Sequence, residues 1–365
     1  MKIIVSGGGT GGHIYPALAI AEGIREKYTK VEILYVGTEG SLEEELAKKA
    51  GYSFRSIHVK GMPRKLNKKS IIALKELLLG LLDSSNVLRT FKPDLVIGTG
   101  GYVCGPILYK AARRRIPTVI HEQNAFPGIT NKILSRFVDK VLITYEGSRK
   151  YFHKSSQVVL TGNPVRKEII NQDSQHARME LKLDEKPTVL SFGGSGGQKS
   201  LNNSILGIVE TVSRENSINL IHVTGKPHYD DFLKKLREGG ISPGDNVEIL
   251  PYHHRMPLAI HAADLVITSG GAIALAEIST AGKPSILVPK GYTAENHQEY
   301  NARAFQESGA AWMILEKDLT PDLLYTRIME LIKDGERLLE MGENSRKLGN
   351  PAATETIIGE IAKLI

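Results

Sequence analysis

MKIIVSGGGTGGH (residues 1–13) sets a short β-branched run against five glycines in seven residues and ends in a histidine. Residues 2–7 read as a strand and 13–28 have the apolar spacing of a helix. A strand that runs through glycines into a helix is a nucleotide-fold turn. The glycines let a ligand approach the backbone, and the helix N-terminus presents N–H groups and a partial positive charge. The spacing differs from the G-x-G-x-x-G with a downstream acid that dinucleotide sites use, although Glu39 follows the second strand where such an acid would stand. FGGSGGQ (192–198) repeats the device halfway along the chain, and SGGAIALAE (269–277) gives a third strand-to-helix turn.

At 365 residues, with 41% hydrophobic and 24% charged residues, the chain suits two globular domains. Apolar runs at 2–7, 31–37, 94–100, 117–122 and 139–144 read as buried parallel strands, with helical patterns at 13–28, 41–50 and 103–115 between them. The scheme restarts at 187–194, 218–225, 246–252, 264–270 and 284–289. This alternation predicts an α/β fold of two Rossmann-like parallel sheets, whose strand ends face a cleft where ligands bind. Gly162 and Pro164 in TGNPVR (161–166) mark the seam after a strand at 157–160, and GNP (349–351) breaks the chain before a last helix at 352–365.

The single cysteine, Cys104, leaves no internal disulfide or cysteine-based metal site and reads as a packing residue. The opening residues form a strand rather than a charged segment, apolar run and cleavage site. The longest apolar run, 71–82, is interrupted by Lys75 and Glu76 and falls short of the roughly 20 residues of a spanning helix. The expectation is a cytoplasmic protein with at most peripheral membrane contact. Residues 1–162 carry 25 Lys and Arg against 13 Asp and Glu, whereas the remainder carries 22 against 27. A basic first half points to an anionic partner, either nucleic acid or an acidic membrane surface. In KKSIIALKELLLGLLDS (68–84), Ile71, Leu74, Leu78 and Leu81 or Leu82 form one helical stripe beside Lys68, Lys69 and Lys75, with Arg113–Arg115 a second basic cluster. Most of that stripe is expected to face the core, its excess to dock on anionic lipid.

Several side chains suit chemistry. His13 stands in the first helical turn, where the dipole disfavours the imidazolium and keeps the ring able to accept a proton. Ser195 offers a hydroxyl to a phosphate, Glu277 a carboxylate to two ribose hydroxyls, and Arg166 a guanidinium to a pyrophosphate. No acidic pair of the DxD kind lies in a suitable loop, so neither a metal nor another cofactor is expected. HEQN (121–124) is not a zinc motif and reads as acceptor-side or sugar-contacting.

Taken together and in order, GGGTGGHIYPALA, TGGYVCGP, HEQNAFPG, TGNPVR, FGGSGG, SGGAIALAEI and NHQEYNA resemble the MurG family, bacterial transferases of glycosyltransferase family 28 that add N-acetylglucosamine to lipid I. The resemblance covers nearly the whole chain. It implies the GT-B architecture, with domains 1–162 plus the closing helix 351–365, and 163–350. It also implies transfer from UDP-N-acetylglucosamine to the undecaprenyl-linked acceptor at an anionic membrane surface, without nucleic acid. By similarity, a backbone contact at or after His253 reads the uracil, and Ala272, Ile273, Ala274, Leu275, Ala276 and Glu277 line the nucleotide. Ser195 and Arg166 meet phosphate, and Gln298 and Asn301 grip sugar hydroxyls. Thr10, Gly11, Gly12 and Asn124 reach the donor sugar, and His13 is the general base. His253 stands where an aliphatic residue is usual, and His297 where some relatives have glutamine. A UDP-sugar:diacylglycerol glycosyltransferase is the runner-up. A UDP-N-acetylglucosamine 2-epimerase would need no lipid acceptor, and a non-catalytic nucleotide-binding scaffold would show no turnover.

Overall fold

The computed structural model describes residues 1–61, 68–194, 196–293 and 296–365, with residues 68–70 described in backbone only. The chain divides into two compact units, Met1–Pro164 with Ala352–Ile365, and Val165–Pro351.

The first unit holds a seven-stranded sheet of β1 (Lys2–Ser6), β2 (Glu32–Gly37), β3 (Ser53–Ser56), β4 (Leu95–Gly98), β5 (Thr118–Glu122), β6 (Lys140–Ile143) and β7 (Gln157–Leu160). Every pairing is parallel, in the order β3-β2-β1-β4-β5-β6-β7. Alternate strand residues feed opposite cores. Ile3, Val5, Leu95 and Ile97 pack with α1 (Gly11–Lys27), whereas Ile4, Val96 and Ile120 pack toward α3 (Lys68–Phe91) and α4 (Cys104–Arg113). Burial on both faces is why the strands read as unbroken apolar runs. Between β2 and β3 lies α2 (Leu42–Lys49), capped by Ser41 Oγ accepting from the Glu44 N–H, and α5 (Ile129–Leu134) follows β5.

The second unit repeats the plan with β8 (Thr188–Phe192), β9 (Asn219–Val223), β10 (Val247–Leu250), β11 (Leu265–Thr268), β12 (Ser285–Leu287) and β13 (Ala311–Met313), in the parallel order β10-β9-β8-β11-β12-β13. Strand order reverses between β1 and β4 in one sheet and between β8 and β11 in the other. In open parallel sheets the loops at such a reversal form the ligand crevice. Glycines 7–9 and 193–194 leave β1 and β8 at these reversals.

The closing helix Ala353–Ala362 belongs to the first unit. Ile357, Ile358 and Ile361 join Ala17, Ile20, Ala21 and Ile24 of α1 in one core, and a Cβ on Gly23 would meet the Ile358 Cδ1 at 2.6 Å. Lys140 Nζ pairs with Glu360 Oε2 at 2.8 Å and donates to its carbonyl at 3.0 Å.

α3 corrects one expectation. Its apolar stripe does not face the core: Ile71 is 72% exposed and Leu82 67%, with Leu74 and Leu78 exposed between them. The buried side is instead lined by small residues, Ala73, Gly80 and Ser84, followed by Val87 and Leu88. A Cβ on Gly80 would lie 2.1 Å from the His58 carbonyl oxygen, so the backbones meet too closely for the leucines to turn inward. No helix among the described residues is long and apolar enough to cross a membrane. Replacing the fully buried Ile357 with alanine should lower the unfolding free energy of the first unit by about 2–5 kcal/mol, measured by urea titration.

Candidate active site

The loop after β1 is pressed against the loop after β4. The Gly8 N–H donates to the Gly100 carbonyl at 3.3 Å, and a Cβ on Gly101 would fall 2.2 Å from Gly8 O. Gly100 (φ +109°) also makes room for His13, whose Cδ2 would lie 2.8 Å from a Cβ there. His13 sits half-buried in the first turn of α1. Its Nδ1 lies 3.1 Å from Gly8 O and 3.3 Å from Thr10 Oγ1. A carbonyl only accepts, so the Gly8 bond assigns a proton to Nδ1. Thr10 is exposed at the N-cap, and Gly11 and Gly12 open the helix. The Thr99 hydroxyl donates to the His13 carbonyl at 2.7 Å, tying this turn to the end of β4.

HEQN divides in two. His121, Glu122 and Gln123 are buried, so they shape the loop and only the half-buried Asn124 stays near the surface. The Glu122 carboxylate accepts from the Asn124 N–H and Nδ2, from the Gly128 N–H and from Asn131 Nδ2, at 2.8–3.1 Å. Burial raises its pKa against those bonds. His121 is held neutral by burial, its pKa lowered to about 4, with Nε2 2.9 Å from Gly162 O.

In the second unit the helix Ala272–Thr280 starts at Gly271, directly after β11. Ala272 and Leu275 are buried, Leu275 completely, so its side chain packs inward while Ile273, Ala274 and Ala276 are half-buried. Glu277 is also buried, and Arg166 grips it through Nε–Oε1 at 2.5 Å and Nη2–Oε2 at 2.9 Å. Two groups expected to meet ligand separately are thus bonded to each other, the Arg166 side chain remaining 47% exposed. Asn301 is fully buried and donates to Gly270 O at 3.2 Å, which makes it a support for the turn. Gln298 is half-buried, accepts from the Lys290 N–H at 3.1 Å, and its carbonyl approaches Gly270. His253 is buried, and its imidazole is pushed below the ordinary histidine range by burial, then by Arg255 and His254. Ser195 lies outside the described residues, as do the Lys68 and Lys69 side chains. Among the described residues no cluster of three or more His, Cys, Asp or Glu is disposed to hold a metal.

Two Rossmann-type units, each with a glycine-rich turn at its sheet reversal, make up the GT-B architecture of nucleotide-sugar glycosyltransferases. The chain belongs to glycosyltransferase family 28: the family's N-terminal domain model matches residues 3–143 and its C-terminal domain model residues 188–357. A protein of Finegoldia magna named UDP-N-acetylglucosamine–N-acetylmuramyl-(pentapeptide) pyrophosphoryl-undecaprenol N-acetylglucosamine transferase is 47% identical, covering 100% of this chain and 98% of its own. A relative of the same name from Acetivibrio thermocellus is 46% identical over 98% of this chain and 96% of its own. The crystal structure of Acinetobacter baumannii MurG superposes with a TM-score of 0.79 at 27% identity, covering 99% of each chain. A UDP-N-acetylglucosamine 2-epimerase of Neisseria meningitidis, at 15% identity and a TM-score of 0.68 over 100% of each chain, shares the fold alone.

The His121 environment sets a pH dependence. Between about pH 4 and 6.5 the unfolded chain binds a proton that the folded ring refuses, so stability rises with pH across that window. Urea titrations at stepped pH should show the first unit gaining up to about 3 kcal/mol over that range, and His121→Gln should flatten the rise.

Proposed function

We propose that the chain transfers N-acetylglucosamine from UDP-N-acetylglucosamine to the C4 hydroxyl of lipid I, N-acetylmuramyl-(pentapeptide) pyrophosphoryl-undecaprenol, with inversion to a β-1,4 link. The observation that carries this reading is the full-length match, 47% and 46% identical, to relatives bearing the name of that reaction. The runner-up, transfer to diacylglycerol, has no such support.

An alcohol is a weak nucleophile, and a positioned base of near-neutral pKa contributes typically ~10²–10⁴-fold. His13 fits that need, because its Nδ1 is engaged by Gly8 O and Nε2 carries the lone pair. As the hydroxyl oxygen bonds to the anomeric carbon, its proton passes to Nε2 and the bond to UDP breaks. Charge growing on UDP meets the N-terminus of the helix Ala272–Thr280 and the exposed edge of Arg166. Glu277, already oriented by Arg166, receives the ribose hydroxyls. Ser195 and a backbone contact at His253 complete the nucleotide side, while Gln298, Thr10, Gly11, Gly12 and Asn124 serve the sugar. Asn301 acts by holding the Gly270 turn. Radiolabel transfer from UDP-N-acetylglucosamine to lipid I should fall at least ~100-fold in His13→Ala. Glu277→Ala should chiefly raise the donor KM. Full turnover in His13→Ala removes the base assignment.

The polyprenyl acceptor resides in a membrane, and α3 suits docking on its cytoplasmic face. Ile71, Leu74, Leu78 and Leu82 stand exposed in a row with exposed Lys75, and Arg113–Arg115 are exposed at the end of α4. An apolar ridge rimmed by cations binds an anionic interface by combined burial and charge. Cosedimentation with phosphatidylglycerol vesicles should weaken at least ~10-fold in a Leu78→Glu, Leu82→Glu double variant. The same variant should keep turnover on a soluble short-chain acceptor. Binding indifferent to both salt and these changes speaks against docking.

A further inference from the structure

One peptide group in the first unit is held at both ends. Its carbonyl, Gly8 O, faces His13 Nδ1 at 3.1 Å, and its N–H, on Gly9, donates to Glu43 Oε2 at 3.4 Å. Glu43 comes from the first turn of α2 and is 1% exposed. Its other oxygen accepts from Thr38 Oγ1 at 2.7 Å and from the Thr38 N–H at 3.4 Å. All these bonds are accepted, as suits a carboxylate. Two glycines make space for it: a Cβ on Gly8 would lie 2.7 Å from Glu43 Oε1, and one on Gly37 2.8 Å from its Cγ. An acid seated this deeply is costly unless its oxygens are bonded, and part of that bonding goes to the loop that carries His13.

The geometry points to Glu43 as a positioning residue for His13, acting through the Gly8–Gly9 peptide as a carboxylate–peptide–imidazole relay. Negative charge at the N–H end of an amide polarises it and makes its carbonyl a stronger acceptor. A stronger acceptor at Gly8 O fixes the Nδ1–H tautomer and the ring plane. It also stabilises the imidazolium that forms once Nε2 takes the acceptor's proton. A carboxylate bonded directly to a catalytic histidine has the same effect. The relay rests on the reading of His13 as base.

Other titratable groups surround this corner. Tyr35 of β2 donates to Gly7 O at 2.6 Å, and burial drives its pKa far above the ordinary value. Cys104 of α4 is kept protonated by burial, its pKa pushed up to about 11. Tyr102, beside Gly9, comes from the loop before α4. Glu122 of β5 reaches the corner through Asn131, which it binds at 2.8 Å. Of these groups, Glu43 is the one bonded to the peptide that His13 uses.

Glu43→Gln retains an oxygen for the Gly9 N–H and an amide that can donate to the Thr38 hydroxyl, and loses the charge together with the acceptor for the Thr38 N–H. Its kcat should fall about 10–100-fold, a share of what a positioned base supplies, with donor KM unchanged. The acid limb of its pH profile of kcat/KM should move to lower pH. Nitrogen NMR of the unaltered protein should find His13 as the Nδ1–H tautomer. Wild-type kinetics in Glu43→Gln, a loss of rate with an unmoved acid limb, or an Nε2–H tautomer each overturns the relay. The NMR result needs no variant, so the test survives a Glu43→Gln chain that fails to fold. Normal turnover in His13→Ala would instead remove the base reading, whereas an inactive His13→Ala beside a fully active Glu43→Gln removes the relay alone.

Discussion

Backbone meets backbone where the first sheet reverses direction. Gly8 and Gly101 pass so closely that a single added carbon on Gly101 would sit 2.2 Å from the Gly8 oxygen. Only residues without side chains tolerate that approach. From it follow the start of α1, the placing of His13 against Gly100 and the exposure of the Thr10–Gly12 turn. The imidazole is held at Nδ1 by a carbonyl of the loop. A loop free to pivot would let the ring turn with it.

The two units solve the same topological problem with opposite electrostatics. In the first, the turn at the reversal carries an imidazole, His13, bonded to a loop carbonyl. In the second, a carboxylate and a guanidinium are joined, so that a buried acid is neutralised and aimed before any ligand arrives. A preorganised ion pair has little to reorganise, which is how fixed polar groups act best in a site.

Much of this was legible in the residues, for identifiable reasons. Central strands such as β1, β4 and β11 are apolar on both faces and announce themselves. The edge strands β3 and β13, reading SFRS and AWM, are short and partly exposed and leave no such mark. Glycine-rich turns were legible because their backbone conformations demand glycine. The partners of Glu43, Arg166 and Asn301 were not. Glu43 begins a run of three acids that looks like an ordinary first helical turn, and only the tertiary fold shows that it is the one turned inward. Arg166 and Glu277 are separated by 111 positions, and each alone resembles a ligand group. The leucines of α3 follow core spacing yet lie outside, since helical periodicity identifies a face without saying which side of it is covered.

The closing helix has a temporal consequence. Its isoleucines complete one face of the sheet that begins at Lys2, yet the whole of Val165–Pro351 is made between the two parts. At typical bacterial elongation rates that interval is roughly ten to forty seconds. During it, Ile20, Ile24 and their neighbours on α1 have no partner for the surface that Ile357 and Ile361 later cover. The first unit begun on the ribosome is thus the last to be finished, and a nascent chain must keep an incomplete apolar face from finding the wrong cover.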